Sequence, residues 1–225
     1  MQSIGNCSLG GQPRIVAVVD EIIPAEKLAP LVARADILEM RIDCWQRSAE
    51  TATTYLGKIR SALGMPMIGT IRENDYTRDI RIGLFNACIP LVDSIDIELG
   101  TPISAAVTAA AQGKTVIVSE HDFETTPSEK ELTSMVERAR AQGADIVKIA
   151  TMAGSREDVV RLLEFTRTCR TPVVAFAMGP IGKISRVIAP LFGTLFTYGY
   201  ITKPVAPGQL PVEELANEID RYFPE

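Results

Sequence analysis

The 225-residue sequence is poor in the side chains that build metal and disulfide frameworks, with one histidine, one tryptophan and four cysteines. A single imidazole, His121, excludes any metal site that needs two or more histidines. It also leaves one side chain whose ordinary pKa lies near neutrality. Cys7, Cys44, Cys88 and Cys169 are scattered without a C-x-x-C pair, so they read as reduced thiols of a cytoplasmic protein. No run approaches the roughly 18 consecutive apolar residues of a membrane span. Positive charge is in short supply, with 23 Lys and Arg against 28 Asp and Glu for a net charge of −5. That balance argues against a nucleic-acid or anionic-membrane partner. No G-x-G-x-x-G or G-x-x-x-x-G-K-[ST] loop follows the first strand, so the usual dinucleotide and nucleotide signatures are missing. The first thirteen residues lack the charged-then-apolar pattern of a secretory signal and are expected to form a tail, or a lid over the bottom of the fold.

What is present is repetition. Runs rich in β-branched and aliphatic residues occur at 14–19, 37–42, 67–71, 94–99, 115–120, 146–151, 172–177 and 194–197. Amphipathic stretches fill the gaps, at 24–35, 48–63, 77–89, 102–112, 128–142, 155–168, 184–191 and 212–222. Several carry start and stop signals. Ser128 precedes Glu131 and Ser155 precedes Asp158 at capping-box spacing, while Gly113 and Gly143 stand where helices end. With 46% hydrophobic residues, the chain can bury a core. Eight strand–helix units without a linker predict a single-domain α/β fold, a (β/α)8 TIM barrel over 14–225 behind the 1–13 tail. An open doubly wound sheet is the competing arrangement.

Charged residues inside such strands need a reason, because both faces of a parallel strand are normally buried. Barrel active sites lie at the carboxyl ends of the strands, which is where this sequence puts its charges. Glu39 and Arg41 alternate onto one face of the second strand, where they could neutralise each other and still offer hydrogen bonds to a polyhydroxylated ligand. Arg72 ends the third strand, and Asp96 and Glu98 share a face of the fourth, as barrel braces or as site groups. His121 ends the fifth. Lys148 sits in the middle of the Val/Ile-rich sixth strand, where an ammonium is costly unless it is paired or gives up its proton. A neutral amine there would be a nucleophile toward carbonyls. After the seventh strand comes a glycine-containing loop, Gly179-Pro180-Ile181-Gly182, leading to Arg186, a candidate grip on a carboxylate. After the eighth, Lys203-Pro204-Val205-Ala206-Pro207-Gly208-Gln209 is a stiff loop suited to holding the Gln209 amide over a pocket.

Read in order, Glu39-Met40-Arg41-Ile42-Asp43, Thr70-Ile71-Arg72, Asp96-Ile97-Glu98-Leu99, Ser119-Glu120-His121-Asp122-Phe123, Val147-Lys148-Ile149-Ala150, Gly182-Lys183-Ile184-Ser185-Arg186 and Ala206-Pro207-Gly208-Gln209 resemble the type I 3-dehydroquinate dehydratases. The resemblance runs from about residue 13 to 215. It implies a cytoplasmic hydro-lyase, usually a homodimer, that dehydrates 3-dehydroquinate to 3-dehydroshikimate in chorismate biosynthesis without metal or organic cofactor. Lys148 matches the family's Schiff-base lysine and His121 its general acid/base. Glu39, Arg41 and Arg72 match substrate-binding positions, Arg186 the arginine that takes the substrate carboxylate, and Gln209 a closing-loop ligand. Val205 stands where the family commonly has Ser or Thr. The segment after Arg72 lacks the family's Glu-Gly-Gly, leaving Glu73 or Asp75 as candidates to orient His121. The nearest alternative is another Schiff-base barrel, of the class I aldolase or transaldolase kind.

Overall fold

The computed structural model describes residues 2–224. The chain opens with an antiparallel hairpin of β1 (Ser3–Ile4) and β2 (Cys7–Ser8), then runs through β3 (Arg14–Val19), α1 (Ala25–Leu31) and β4 (Ile37–Arg41). It continues with α2 (Ile42–Trp45), α3 (Ala49–Leu63), β5 (Met67–Thr70), α4 (Arg81–Cys88) and β6 (Ser94–Glu98). Next come α5 (Ser104–Ala110), β7 (Thr115–Asp122), α6 (Glu129–Ala141), β8 (Ile146–Met152) and α7 (Arg156–Thr168). The last units are β9 (Val173–Met178), α8 (Gly179–Gly182), α9 (Ser185–Ile188), β10 (Phe196–Tyr200), β11 (Leu210–Pro211) and α10 (Val212–Tyr222). Among the described residues, no helix is long and apolar enough to cross a membrane.

Strands β3 to β9 pair in parallel in sequence order, and β10 returns to pair with β3. That return makes the sheet a curled barrel and excludes the doubly wound alternative, in which the first strand lies inside an open sheet. The ring is completed across a seam between β9 and β10, which share no ladder. There Leu195 N donates to Val173 O at 3.1 Å. The Thr194 hydroxyl accepts from Ala175 N at 3.1 Å and donates to Ala175 O at 3.0 Å.

Alternate residues of each strand point inward. At the bottom, Val16, Ile37, Ile68, Ile117, Ile146, Val174 and Phe196 pack in one buried apolar cluster with Ile4 and Leu9. Residues 3–8, expected as a tail or lid, thus form a hairpin plugged into the barrel floor and tied to β7 by Thr115 Oγ1 donating to Ser3 O at 2.9 Å. Residues facing the helices, such as Leu38, Met40, Ile95, Val147 and Ile149, form the larger outer core with the helices. Both predicted capping boxes are formed, at Ser128–Glu131 and Ser155–Asp158.

Helix α4 begins four residues later than predicted. Asn74 Oδ1 accepts from the backbone N–H groups of Tyr76 and Thr77, and Thr77 Oγ1 donates to Arg72 O at 2.7 Å. These local bonds give the 74–77 backbone an alternative to the helix. The two-residue β11 was not foreseen; it is too short to show periodicity.

Candidate active site

The middle layer of the barrel is divided. Five neighbouring strands, β4 to β8, contribute Glu39, Thr70, Asp96, Ser119 and Lys148; β9, β10 and β3 contribute Phe176, Tyr198 and Val18. Above this layer, at the carboxyl ends of the strands, lies a cavity of about 370 Å³. Lys148, His121, Glu39, Arg41, Arg72, Arg186 and Gln209 all line it, as do Glu98, Ser119, Phe123, Phe176 and Tyr198.

Lys148 is buried, and its Nζ lies 3.0 Å from Asp96 Oδ2 and 3.5 Å from Glu39 Oε1. Its other side faces the Tyr198 ring, with the amine 4.1 Å from the ring centroid. The buried amine is thus paired with two carboxylates. Glu39 Oε1 also accepts from Thr70 Oγ1 at 3.0 Å. Asp96, fully buried, receives the Ser119 hydroxyl at 2.6 Å and an Arg72 guanidinium nitrogen at 2.8 Å. Burial alone would raise the Asp96 pKa, but Arg72 and Lys148 outweigh it and hold the carboxyl well below the usual carboxylate range. Arg72 also contacts Glu98, which is clamped in turn by the buried Arg81.

The expected neutralisation of Glu39 by Arg41 does not occur. Arg41 instead makes a bidentate contact with Asp43, at 3.0 and 2.8 Å, while Glu39 serves Lys148 from 109 residues away. Same-face spacing gave both side chains the cavity, but the turn into α2 brings Asp43 under the guanidinium.

His121 is half-buried, two residues above the position on β7 that pairs with Lys148. Its ring lies near-parallel to that of Phe123, with centroids 6.0 Å apart. Burial first, then the positive charges of Arg72 and Lys148, push its pKa well below 6.5, against the pull of Asp96. The imidazole is therefore neutral at pH 7. Neither Glu73 nor Asp75 orients it: both pair with Arg78 on the surface, and the Asp75 side chain is 98% exposed. Asp96 is the carboxylate whose charge reaches the ring.

Arg186 has the largest side chain in the fully buried core, at 1% exposure, and among the described residues it has no carboxylate partner. One nitrogen donates to Pro207 O at 3.2 Å, the guanidinium lies 4.5 Å from the centroid of the Phe176 ring, and Nε is unpartnered. Burial pushes its pKa down to about 10. The loop after β10 closes against the loop after β9. Gly179 N donates to Pro207 O at 3.3 Å, and Gly208, at φ +73°, lies so close that a Cβ there would stand 2.6 Å from Gly179 O. The Gln209 side-chain oxygen accepts from Val205 N at 2.9 Å, which braces this loop from within.

Ser119, Tyr198 and Arg81 are among the groups that shape the site without being singled out from sequence. Ser119 and Tyr198 fall on the inward alternation of recognised or partly recognised strands, a signal that was available. Arg81 carried no signal, since it lies in a helix and reaches the site only through Glu98. Among the described residues, no group of three or more His, Cys, Asp or Glu side chains converges on one point that could hold a metal ion.

Comparison with known proteins bears on what this arrangement is for. The family described as Type I 3-dehydroquinase matches residues 18–220. A 3-dehydroquinate dehydratase of Methanococcoides burtonii is 35% identical over 231 residues, covering 98% of this chain and 99% of that one. One from Methanosarcina acetivorans is 38% identical over 236 residues, covering 96% and 97%. The crystal structure of type I 3-dehydroquinate dehydratase from Clostridium difficile, with covalent modified comenic acid, superposes with a TM-score of 0.85 at 29% identity. That alignment covers 98% of this chain and 96% of the other.

Proposed function

The chain belongs to the type I 3-dehydroquinase family, and from that premise we propose that it is a 3-dehydroquinate dehydratase of the shikimate pathway working through an imine on Lys148. The observation that carries the reading is the convergence of one buried amine, one neutral imidazole and one buried guanidinium without an anionic partner on a single cavity. The relative with covalent modified comenic acid supports a covalent route.

In this reading Arg186 takes the ring carboxylate, which supplies the negative charge its surroundings lack. Lys148, having lost a proton, forms a C–N bond with the ketone carbon. The carbonyl oxygen leaves as water, taking one proton from the nitrogen and one from solvent. The product is an iminium cation standing where the ammonium stood, between Asp96 and Glu39. The two carboxylates that stabilise the ammonium therefore stabilise the iminium equally, and the site keeps its charge balance across the condensation.

The iminium draws electrons from the adjacent carbon, and His121 removes that carbon's proton. A ring already neutral at pH 7 is ready to act as the base. The resulting imidazolium returns the proton to the β-hydroxyl, which leaves as the second water, and hydrolysis of the imine frees the product and Lys148. Acid–base help of this kind is worth about 10²–10⁴-fold. The same reading makes the protein a cytoplasmic homodimer, in keeping with four unpaired cysteines.

Borohydride reduction during turnover of 3-dehydroquinate, followed by peptide mass mapping, tests the imine. Ligand mass on Lys148, lost in Lys148→Ala, is the expected result. Active enzyme that never acquires label would rule out the covalent route.

A further inference from the structure

The charged side of the barrel forms one continuous chain of alternating sign. Glu39 and Asp96 flank Lys148, Asp96 and Glu98 flank Arg72, and Glu98 ends on Arg81, so three carboxylates face three cations. Arg81 reaches in from the first residue of α4 with its side chain 3% exposed, and it does not line the cavity. Its Nε donates to Ile71 O at 2.7 Å, on the residue before Arg72, and its tip contacts Glu98 Oε2. One guanidinium therefore holds both the strand end that Arg72 leaves from and the carboxylate beside the Arg72 tip.

Glu98 is the member of this chain with a choice of partners. Its Oε2 meets Arg81 closely, while the Arg72 nitrogen stands off at 3.4 Å. Arg72 sits tighter on Asp96, at 2.8 Å, and on the Ser119 hydroxyl, also at 2.8 Å. The pull between unlike charges is strong where water is largely excluded. A Glu98 stripped of Arg81 would therefore close on Arg72, the cation it still touches. The seat of Arg72 matters for the chemistry, because its charge acts on both Asp96 and His121.

Taking the dehydratase reading as its basis, with Arg72 as a substrate contact, we propose that Arg81 is a positioning residue that takes up the Glu98 charge and so keeps Arg72 seated on Asp96 at the cavity wall. Arg81 itself stays behind that wall. It acts through the balance of the chain: without it, two cations would have to serve three carboxylates.

Steady-state kinetics with 3-dehydroquinate on Arg81→Gln, Glu98→Gln and the double variant test this. Arg81→Gln deletes the charge and leaves Glu98 to pull Arg72 from its seat, so KM should rise about tenfold, more than kcat falls. A role in folding alone would lower kcat by reducing the active enzyme and leave KM unchanged. Glu98→Gln removes the competing charge and only a long contact to Arg72, so KM should stay within about threefold of the natural protein. The double variant should likewise return to within about threefold, because the two substitutions act through one contact. An unchanged KM in Arg81→Gln overturns the role of Arg81. If Arg81→Gln does not fold, the other two variants decide, and a rise of about tenfold in the KM of either overturns it. A natural protein that does not turn over 3-dehydroquinate would instead remove the dehydratase reading, and this role with it.

Discussion

Arg186 is a stressed residue whose strain a ligand should relieve. Burial pulls its pKa down from the ordinary arginine value to about 10. At about 1.36 kcal/mol per tenfold change in proton affinity, this charge costs about 3 kcal/mol relative to water. The contacts that offset the cost are few. One hydrogen bond to Pro207 O and one stack on Phe176 are each worth about 1 kcal/mol.

Arg186→Met keeps much of the side-chain volume, deletes the charge, and leaves Pro207 O with the Gly179 N–H. The ligand-free variant should therefore be more stable by about 1 kcal/mol, as when other buried charges yield to apolar groups. Its response to an anionic competitor should be the reverse. Quinate at 100 times its dissociation constant stabilises the natural protein by about 2.7 kcal/mol, or roughly 5–10 °C in melting temperature for a domain of this size. The variant should show almost none of that shift, and KM for 3-dehydroquinate should rise about 10- to 150-fold. Thermal unfolding with and without quinate reads both effects. A ligand-free variant less stable by more than about 1 kcal/mol, or one that keeps the quinate shift, would refute the reasoning.

Two further outcomes follow from the same geometry. Because the chain has one histidine, the imidazole signal in a proton NMR titration belongs to His121 alone, and its midpoint should lie well below 6.5. The folded value is below the unfolded one, so the stability His121 contributes is present above about pH 6.5 and lost as pH falls toward the folded midpoint. A midpoint at or above 6.5 would contradict the assigned burial and charges. Gly208→Ala places a Cβ 2.6 Å from Gly179 O at φ +73°. At about 1–2 kcal/mol of backbone strain alone, the docked loop should be about tenfold less populated and apparent ligand affinity weaker to match. An unchanged KM would show that the loop's seat does not matter for binding.

The barrel was legible because buried parallel strands are continuous greasy runs, and all eight runs became strands, with every end but one within two residues of its expected place. Lys148 stood out for the same reason, as a charge where the run permits none. Pairing was less legible. Glu39 and Arg41 are neighbours on one strand, so their mutual neutralisation was the economical guess, but their partners are set by which strands adjoin and by the turn at Asp43. Asp96 read equally well as brace and as site residue; it does not line the cavity itself but holds Arg72 and Lys148, which do, through its two oxygens. Tyr198 was hidden by being aromatic, since a ring in a strand invites no question until its hydroxyl is found without a partner.

The two-sided interior has a consequence for handedness. A ring whose oxygens crowd one edge can face the charged arc of β4 to β8 only by turning its bare carbons toward Phe176, Tyr198 and Val18. In the proposed reading, with the carboxylate held at Arg186 and the reacting carbon at Lys148, no rotation would remain to correct a mismatch. The mirror-image molecule would have to press hydroxyls against hydrocarbon or present hydrocarbon to carboxylates. In that reading chiral discrimination would follow from the order of the strands, ahead of any lid or loop.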